Sequence, residues 1–316
     1  MRCLEDLLDM APDRYEVTVI GEEPWGNYNR IMLSPVLSGE KTIEDIMLHP
    51  HAWYRDKGIK FIADDPAIKI DRTRKTVHTE KGETVDYDRL IIATGSKPFI
   101  PPVQGVDLKG VISFRDIYDV NTMIKYCETK KNAVVIGGGL LGLEAAYGLK
   151  QRGMNVTVLH LMDRIMERQL DGRASRMLRQ SIEEKGINII TEANTEALIG
   201  KDGHVNQVRL KDGTVLDADL VVFAVGIRPN ITLAQSAGLR CNRGILVNDT
   251  MQTFDPSIYA VGECIEHRNQ TFGLVEPLWG QAFICATHLA EHGSLTFKSP
   301  TVPTQLKVSG VDVFSA

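Results

Sequence analysis

The sequence predicts an α/β protein made of three-layer units, in which one architecture occurs twice. Two stretches, 74–98 and 205–229, each contain an alternating hairpin with a Gly-containing turn, followed by an apolar strand that ends at a glycine. In both stretches the turn glycine precedes the final glycine by 13 residues. A third segment, 132–159, combines a strand, a glycine-rich loop, a helix and a second strand. This agreement of pattern and spacing indicates an internal duplication.

Composition places the chain among ordinary globular proteins and excludes several kinds of partner. Of its 316 residues, 43% are hydrophobic and 24% are charged, and the formal net charge is −5. Because basic residues are not in excess, no nucleic-acid partner is predicted. No apolar run reaches the roughly 20 residues needed to cross a bilayer, and no signal peptide is found. We therefore predict no membrane association and a cytoplasmic location.

The five cysteines show no spacing that is typical of a metal site or a redox disulfide. No pair forms a Cys-x-x-Cys motif, and no group of cysteines and histidines has the spacing of zinc ligands. Most are interpreted as buried or incidental thiols, and no metal site is predicted. Cys264 stays open as a functional candidate because it adjoins a Gly-Glu motif discussed below.

The second copy of the duplicated architecture is complete. Strand 133–136 leads into a Gly-x-Gly-x-x-Gly loop and then into a helix that continues to about Arg152. The first glycine permits a tight turn, the second lets the backbone approach a pyrophosphate, and the third allows close helix–strand packing. The free N–H groups and the positive dipole end of the helix would face the phosphates. The loop predicts dinucleotide binding by Gly137, Gly139, Leu140, Leu141 and Gly142.

The residue that follows the second strand, 156–159, bears on the choice between NADH and NADPH. An acidic residue at this position would bind the ribose 2′-hydroxyl, whereas basic groups would accommodate a 2′-phosphate. The position is occupied by His160, which as a neutral side chain excludes neither cofactor. No arginine cluster replaces the missing acid, so we predict cofactor binding at His160 with NADH favoured.

The first copy is expected to lack its first strand and glycine loop. The chain opens with an amphipathic helix, a turn and a strand at 16–20, after which Glu22 occupies the place that His160 holds in the second copy. Gly137 precedes His160 by 23 residues, and the same count back from Glu22 falls before residue 1. The chain is therefore expected to begin inside the first helix of this copy, with Glu22 binding the ribose hydroxyls of an adenosine.

A third motif and several longer segments identify the family that this layout resembles. Thr253, followed after six residues by Ala260-x-Gly262-Glu263, fits the flavin fingerprint T-x6-A-x-G-D with Glu in place of Asp. Two nucleotide-binding copies followed by this motif resemble the two-dinucleotide-binding flavoprotein reductases. Four segments narrow the resemblance to the amino-terminal part of assimilatory NAD(P)H-nitrite reductase large subunits, over essentially the whole chain. These segments are EEPWGNYNRIMLSPVLSGEKT, IATGSKPFIPPVQG, ATHLAEH and PTQLKVSGVDVFSA.

The resemblance implies an enzyme, namely an electron-input flavoprotein that uses FAD and NAD(P)H. Hydride would pass from NAD(P)H to FAD, and electrons would leave for an iron–sulfur and siroheme domain, or another acceptor protein, that is not part of this chain. Nitrite reduction itself is not expected here, because the chain lacks cysteines spaced for a cluster. The implied organisation is a discontinuous FAD domain at 1–114 and 246–290, an NAD(P) domain at 115–245, and the start of a truncated interface domain at 291–316.

The resemblance also assigns roles to residues outside the glycine loop. Glu144, on the helix after that loop, is placed between nicotinamide and flavin, and Glu144 and Ser34 are the predicted catalytic residues. Ferredoxin and rubredoxin reductases carry a flavin-approaching lysine after an R-x-x-L-S stretch, where this chain has Pro35. The nicotinamide side would be lined by Gly226 and Ile227. The predicted FAD contacts are Glu22, Arg30, Leu33, Ser34, Thr94, Gly95, Gly262 and Glu263.

Two alternative functions stay open at this point. The chain resembles, more distantly, stand-alone ferredoxin or rubredoxin reductases, although Pro35 and the terminal segment count against them. Without a first glycine loop, it is also compatible with a flavin-free remnant that binds NAD through the second copy alone. The sequence leaves open the electron acceptor and the oligomeric state, including a homodimer.

Overall fold

A computed structural model describes residues 1–293 and 295–300 in full, and residues 304–308 and 311–315 as backbone strands. The other positions lie outside the described residues, so the predicted interface segment at 291–316 is described only in part. In the described part of the chain, no helix is long and apolar enough to cross a membrane.

The described residues form α-helices and short strands along the chain. The helices are α1 (Arg2–Met10), α2 (Leu33–Ser38), α3 (His51–Asp56), α4 (Ile117–Thr129), α5 (Leu140–Gln151), α6 (Gly172–Glu184), α7 (Thr232–Ser236) and α8 (Val275–Leu289). The strands are β1 (Thr18–Ile20), β2 (Asn27–Tyr28), β3 (Met47–His49), β4 (Lys60–Ile62), β5 (Ala67–Asp71), β6 (Thr76–Thr79), β7 (Thr84–Asp86), β8 (Leu90–Ile92), β9 (Ser96–Pro98), β10 (Val111–Ser113), β11 (Asn132–Ile136), β12 (Asn155–Leu159), β13 (Ile187–Ile190), β14 (Thr195–Lys201), β15 (His204–Leu210), β16 (Val215–Asp217), β17 (Leu220–Phe223), β18 (Ile227–Pro229), β19 (Ile245–Leu246), β20 (Ile258–Ala260), β21 (Ile265–His267), β22 (Gln270–Thr271), β23 (Thr304–Val308) and β24 (Val311–Ser315).

Packing divides the chain into two compact units, each made of several segments. Unit one comprises Met1–Tyr28, Met47–Lys97 and Ile227–Val302. Unit two comprises Asn29–Ile46, Pro98–Gly226 and Pro303–Ala316. The predicted domains divide the chain at other positions: for example, β10 was expected in the FAD domain but pairs with β17 in unit two. The predicted domains remain a prediction about nucleotide binding, whereas the two units describe packing.

Unit two is built on a five-stranded parallel sheet in the order β10-β17-β11-β12-β13. The central strand β11 and its neighbour β17 have the continuous apolar runs AVVI and LVVF, which are buried as expected for parallel strands covered on both faces. Helix α5 connects β11 to β12, and α6 connects β12 to β13. Strands β12 and β13 lie on one side of β11 in the sheet, and the later strand β17 lies on its other side. The carboxyl end of β11 is therefore a topological switch point.

Unit one contains two short parallel pairs, β1–β4 and β8–β20, which no strand joins among the described residues. Helix α1 packs against α8, and its Cys3 and Leu7 belong to the same core as Ile258, Ala260 and Cys285. Apolar residues from both ends of the chain therefore form one core in this unit.

The predicted duplication is present in the structure. In unit one, the antiparallel strands β5-β6-β7 precede the parallel strand β8. In unit two, the antiparallel strands β14-β15-β16 precede the parallel strand β17. The α/β fold class predicted from the sequence, with the Rossmann-like architecture occurring twice, is confirmed.

Candidate functional site

The glycine-rich loop of unit two connects β11 to α5, at the switch point of the sheet. Gly137 has φ +126°, a conformation that favours glycine, and a Cβ there would lie 2.3 Å from the carbonyl oxygen of Ala224. A Cβ on Gly142 would lie 1.9 Å from the carbonyl oxygen of Gly137. Both positions therefore need glycine for the loop to turn back onto its own helix.

The middle glycine of the motif is open to its surroundings. Gly139 precedes the first residue of α5, and a Cβ added there would meet no atom within 4 Å. Leu140 and Leu141 form the start of the helix, where the first backbone N–H groups have no acceptor within the helix. An open cradle bordered by these donors and by the positive end of the helix dipole fits a pyrophosphate group.

The structure places the predicted catalytic residues, Ser34 and Glu144, in direct contact within unit two. The hydroxyl of Ser34, on α2, donates a hydrogen bond to the carboxylate of Glu144, on α5. Burial raises the pKa of the Glu144 carboxyl, and the hydrogen bond from Ser34 lowers it in part. Glu144 can thus hold a proton at a higher pH than an exposed glutamate.

Packing of α2 on α5 explains why two residues 110 positions apart meet. Leu37 is fully buried, and its side chain occupies the space that a Cβ on Gly148 would fill, 2.7 Å from Cγ. The guanidinium of Arg152 donates hydrogen bonds to the carbonyl oxygens of Leu37 and Val36, near the end of α2. These contacts hold the short helix against the phosphate-loop helix.

The other predicted residues of unit two have different surroundings. Arg30 is exposed and donates from Nη1 to the backbone oxygen of Arg115 at 3.3 Å, whereas the side chain of Leu33 is buried. The carbonyl oxygen of Gly226 accepts a hydrogen bond from the backbone N–H of Phe99 at 2.9 Å. Gly226 is the last residue of the segment Pro98–Gly226 of unit two. Ile227, the other residue predicted to line the nicotinamide side, is the first residue of β18 and belongs to unit one.

In unit one, the predicted flavin motif forms a turn with an unsatisfied donor beside it. The backbone N–H of Gly262 donates to Oε1 of Gln281 at 2.8 Å, and Ser96 donates to the carboxylate of Glu263 at 2.8 Å. Gln281, on α8, is 0% exposed, and its Nε2 has no hydrogen-bond partner among the described residues. A Cβ on Gly262 would meet nothing within 4 Å. An open turn beside a buried orphan donor fits a ligand that supplies an acceptor, as a flavin nucleotide does.

Sequence reasoning did not identify Gln281 or Ser96 as site residues. The signal for Gln281 was its position as an amide directly before the apolar stretch AFICA on a buried helix, since buried amides need partners. Ser96 carried no local signal, because its contact with Glu263 joins residues 167 positions apart.

Thr94 and Gly95 follow β8 and are bonded to a neighbouring segment of unit one. The hydroxyl of Thr94 donates to the carbonyl oxygen of Asn230 at 2.7 Å, and the backbone N–H of Asn230 donates to Gly95 at 2.8 Å. Glu22 is exposed two residues after β1. Thr94 and Gly95 are therefore both hydrogen-bonded to Asn230, and Glu22 lies at the surface of the unit.

Cys264, kept open as a candidate, lies in the core of unit one. Its side chain is fully buried and its thiol faces the carbonyl oxygen of Val261 at 3.3 Å. Burial raises the pKa of this thiol to about 11, so the nucleophilic thiolate is not formed near neutral pH. All five cysteines are free thiols.

Known proteins are similar to this chain in sequence and in fold. The chain is 50% identical over all 316 residues to the nitrite reductase (NAD(P)H) of Bacillus subtilis, and 44% identical over 316 residues to the assimilatory nitrate reductase electron transfer subunit of that organism. It spans only 39% and 41% of their lengths. Among solved structures, the NAD-dependent persulfide reductase from A. fulgidus has a TM-score of 0.90 at 29% identity, covering 97% of this chain and 59% of that one.

These matches confirm the predicted resemblance to nitrite reductase large subunits. The pyridine nucleotide-disulphide oxidoreductase family matches residues 3–282, which include the glycine loop, Glu144, the Gly262-Glu263 turn and Gln281. The chain belongs to the pyridine nucleotide-disulphide oxidoreductase family.

Proposed function

We propose that this chain is the electron-input module of a nitrite reductase, which transfers a hydride from NAD(P)H to FAD. The observation that carries the proposal is the open glycine cradle at the start of α5, followed within two residues of Gly142 by the partly buried carboxyl of Glu144. The 50% identity with a nitrite reductase supports the assignment to this branch of the family.

The nicotinamide nucleotide is assigned to unit two. The backbone from Gly139 to Gly142 would bind the pyrophosphate through its N–H groups, because the space beside Gly139 is open. Glu144 would act on the other half of the cofactor. Its Oε2 accepts a hydrogen bond from Ser34, and burial raises the pKa of the carboxyl, so Glu144 would hold a proton close to the reacting groups at a higher pH than an exposed glutamate.

The flavin nucleotide is assigned to unit one. The turn at Gly262 and Glu263 would bind the flavin's polar chain, and Nε2 of Gln281 would donate to it. Glu22 would bind the adenosine ribose. When bound, FAD supplies the two-electron to one-electron chemistry that a nicotinamide cannot perform alone.

Electron transfer to an iron–sulfur and siroheme centre elsewhere is part of the proposal. Among the described residues, no three His, Cys, Asp or Glu side chains come together as a metal-ligand set. The described part of the chain therefore does not fit such a centre. The remainder of a longer protein, or a separate acceptor, would carry it.

The test is an assay of NADH-dependent ferricyanide reduction by the purified chain loaded with FAD. We expect turnover that requires both FAD and NADH and that falls in the Glu144→Gln variant. Bound FAD and bound NADH without reduction would contradict the proposal. Nitrite consumption upon addition of the remaining part of the Bacillus subtilis relative would support the nitrite reductase branch, and ferricyanide reduction without it would restrict the function to the reductase step.

A further inference from the structure

The side chain of His160 turns toward the glycine loop. The backbone N–H of Gly138 donates to Nδ1 of His160 at 3.0 Å, and the side chain of His160 is 10% exposed. A Cβ on Gly138 would lie 2.8 Å from Cγ of the imidazole, which explains why the variable position of the Gly-x-Gly motif is also glycine here. The residue at the end of β12 therefore packs on the loop.

This contact determines which imidazole nitrogen carries the proton. A backbone N–H can only donate, so Nδ1 of His160 must accept, and the neutral ring carries its proton on Nε2. Nε2 lies 3.0 Å from Oε2 of Glu167 and donates to it. Both ring nitrogens are used within the protein, so neither is left for a ribose hydroxyl.

The segment that carries Glu167 is held against the same loop. The backbone N–H of Met166 donates to the carbonyl oxygen of Gly138 at 3.0 Å, and the side chains of Ile165 and Met166 are buried. The hydroxyl of Ser175, on α6, donates to the carbonyl oxygen of Ile165 at 2.7 Å. Glu167 thus follows directly after a segment anchored to the central peptide of the loop, and its side chain remains 24% exposed.

We propose that Glu167, positioned by His160, is the acid that faces the adenosine ribose and makes this site prefer NADH to NADPH. The inference rests on the nicotinamide site of the proposed function. A carboxylate at this place accepts hydrogen bonds from a ribose diol and repels a 2′-phosphate. His160 bonds to both the loop and Glu167, so it fixes Glu167 relative to the loop and is a positioning residue.

The neighbouring arginines do not reverse this preference. Arg164 forms an ion pair with Asp163 at 3.2 Å. Arg168 is 85% exposed, and its Nε lies 3.8 Å from Oε1 of Glu167, too far for a hydrogen bond. Each basic side chain of this segment therefore has an acidic neighbour, and together they leave no excess positive charge for a second phosphate.

The test measures binding of redox-inactive halves of the two cofactors by calorimetry. ADP-ribose represents NADH, and 2′-phospho-ADP-ribose represents NADPH. The wild-type chain is expected to bind ADP-ribose at least about tenfold more tightly. Glu167→Gln keeps the acceptor for His160 and removes only the charge, so we expect the two affinities to come within about threefold. The matched control is Glu183→Gln, on α6, whose carboxylate pairs with Arg179, and it should keep the wild-type ratio.

His160→Asn tests the positioning role. An Asn oxygen can accept from Gly138 in place of Nδ1 but cannot reach Glu167, so the affinity ratio should fall while ADP-ribose still binds and the melting temperature is retained. An unchanged ratio in Glu167→Gln, or a wild-type preference for the 2′-phosphate, would overturn the inference and leave the proposed hydride transfer intact. Failure of the wild type to bind either ligand would overturn both.

Discussion

Substitutions of two glycines in the phosphate loop should distinguish an effect on folding from an effect on nucleotide binding. In Gly142→Ala, the new Cβ would lie 1.9 Å from the carbonyl oxygen of Gly137, so the backbone must move by about 1 Å to relieve the overlap. In Gly139→Ala, the new Cβ meets no protein atom within 4 Å, and the backbone at φ −87°, ψ −174° is extended and accepts alanine. The first change should therefore damage the fold, and the second should damage the ligand site.

The magnitudes follow from these contacts. Overpacking against backbone is expected at the upper end of about 1–3 kcal/mol, and the helical preference of alanine returns about 1 kcal/mol, which leaves Gly142→Ala less stable by about 2 kcal/mol. That corresponds to a melting temperature lower by about 4–8 °C. In Gly139→Ala, the weaker N-cap, at up to about 1 kcal/mol, is offset by the smaller entropy of the unfolded chain, so stability should change by less than about 1 kcal/mol. Its Cβ enters the space assigned to the pyrophosphate and should weaken ADP-ribose binding about tenfold or more.

The assay combines thermal unfolding, followed by circular dichroism, with calorimetric binding of ADP-ribose to both variants. We expect a lower melting temperature only for Gly142→Ala, and weaker binding at unchanged melting temperature for Gly139→Ala. This expectation would be refuted by wild-type binding in Gly139→Ala, or by an unchanged melting temperature in Gly142→Ala.

Three further predictions concern the surroundings of the site. Leu37→Ala should lower the free energy of unfolding by about 2–5 kcal/mol, because Leu37 is fully buried against α5, and denaturant titration would contradict this if the loss were below about 1 kcal/mol. Cys264, with its raised pKa, should resist iodoacetamide at mildly alkaline pH until the protein unfolds, as peptide mapping would show; rapid labelling of native protein would refute its burial. The raised pKa of Glu144 means that the folded state keeps a proton that the unfolded state releases, so its contribution to stability falls as pH rises above the ordinary glutamate range. Glu144→Gln should therefore gain stability relative to wild type as pH rises above the ordinary glutamate range, and a difference in melting temperature that does not change with pH would contradict this.

The features that depend on local sequence, namely the glycine loop and the duplicated hairpins and strands, could be predicted from the sequence. The glycine loop could be predicted because a fixed glycine spacing between an apolar strand and a helix is typical of a phosphate loop, and Gly142 must be glycine because of Gly137 within the same loop. The duplication was visible for the same reason, since its hairpins and buried strands have regular spacing. These features required no knowledge of tertiary contacts.

The long-range parts could not be predicted in the same way. The grouping of residues 29–46 with unit two depends on Leu37 filling the space beside Gly148, which no periodicity in either segment shows. His160 was expected to bind the cofactor itself, whereas in the structure one of its ring nitrogens bonds to the loop at Gly138 and the other bonds to Glu167. Such side-chain links depend on rotamers and on packing across the sheet.

The roles assigned to the predicted site residues remain proposals, although the structure brings several of them together. Ser34 contacts Glu144 in unit two, and Gly262 contacts the buried Gln281 in unit one. Ser34 and Glu144 were each candidates from the resemblance, and the structure brings them together, whereas the unpaired amide nitrogen of Gln281 was found only in the structure. The two observations are independent supports for nicotinamide and flavin binding.

The most direct measurement of the central claim is an anaerobic titration of the FAD-loaded chain with NADH, followed by visible absorption. We expect the oxidised flavin band to disappear as one NADH is added per bound FAD, and Gly139→Ala to require a higher NADH concentration for the same change. A flavin that stays oxidised while NADH is bound would contradict the proposal that this chain transfers a hydride from nicotinamide to flavin.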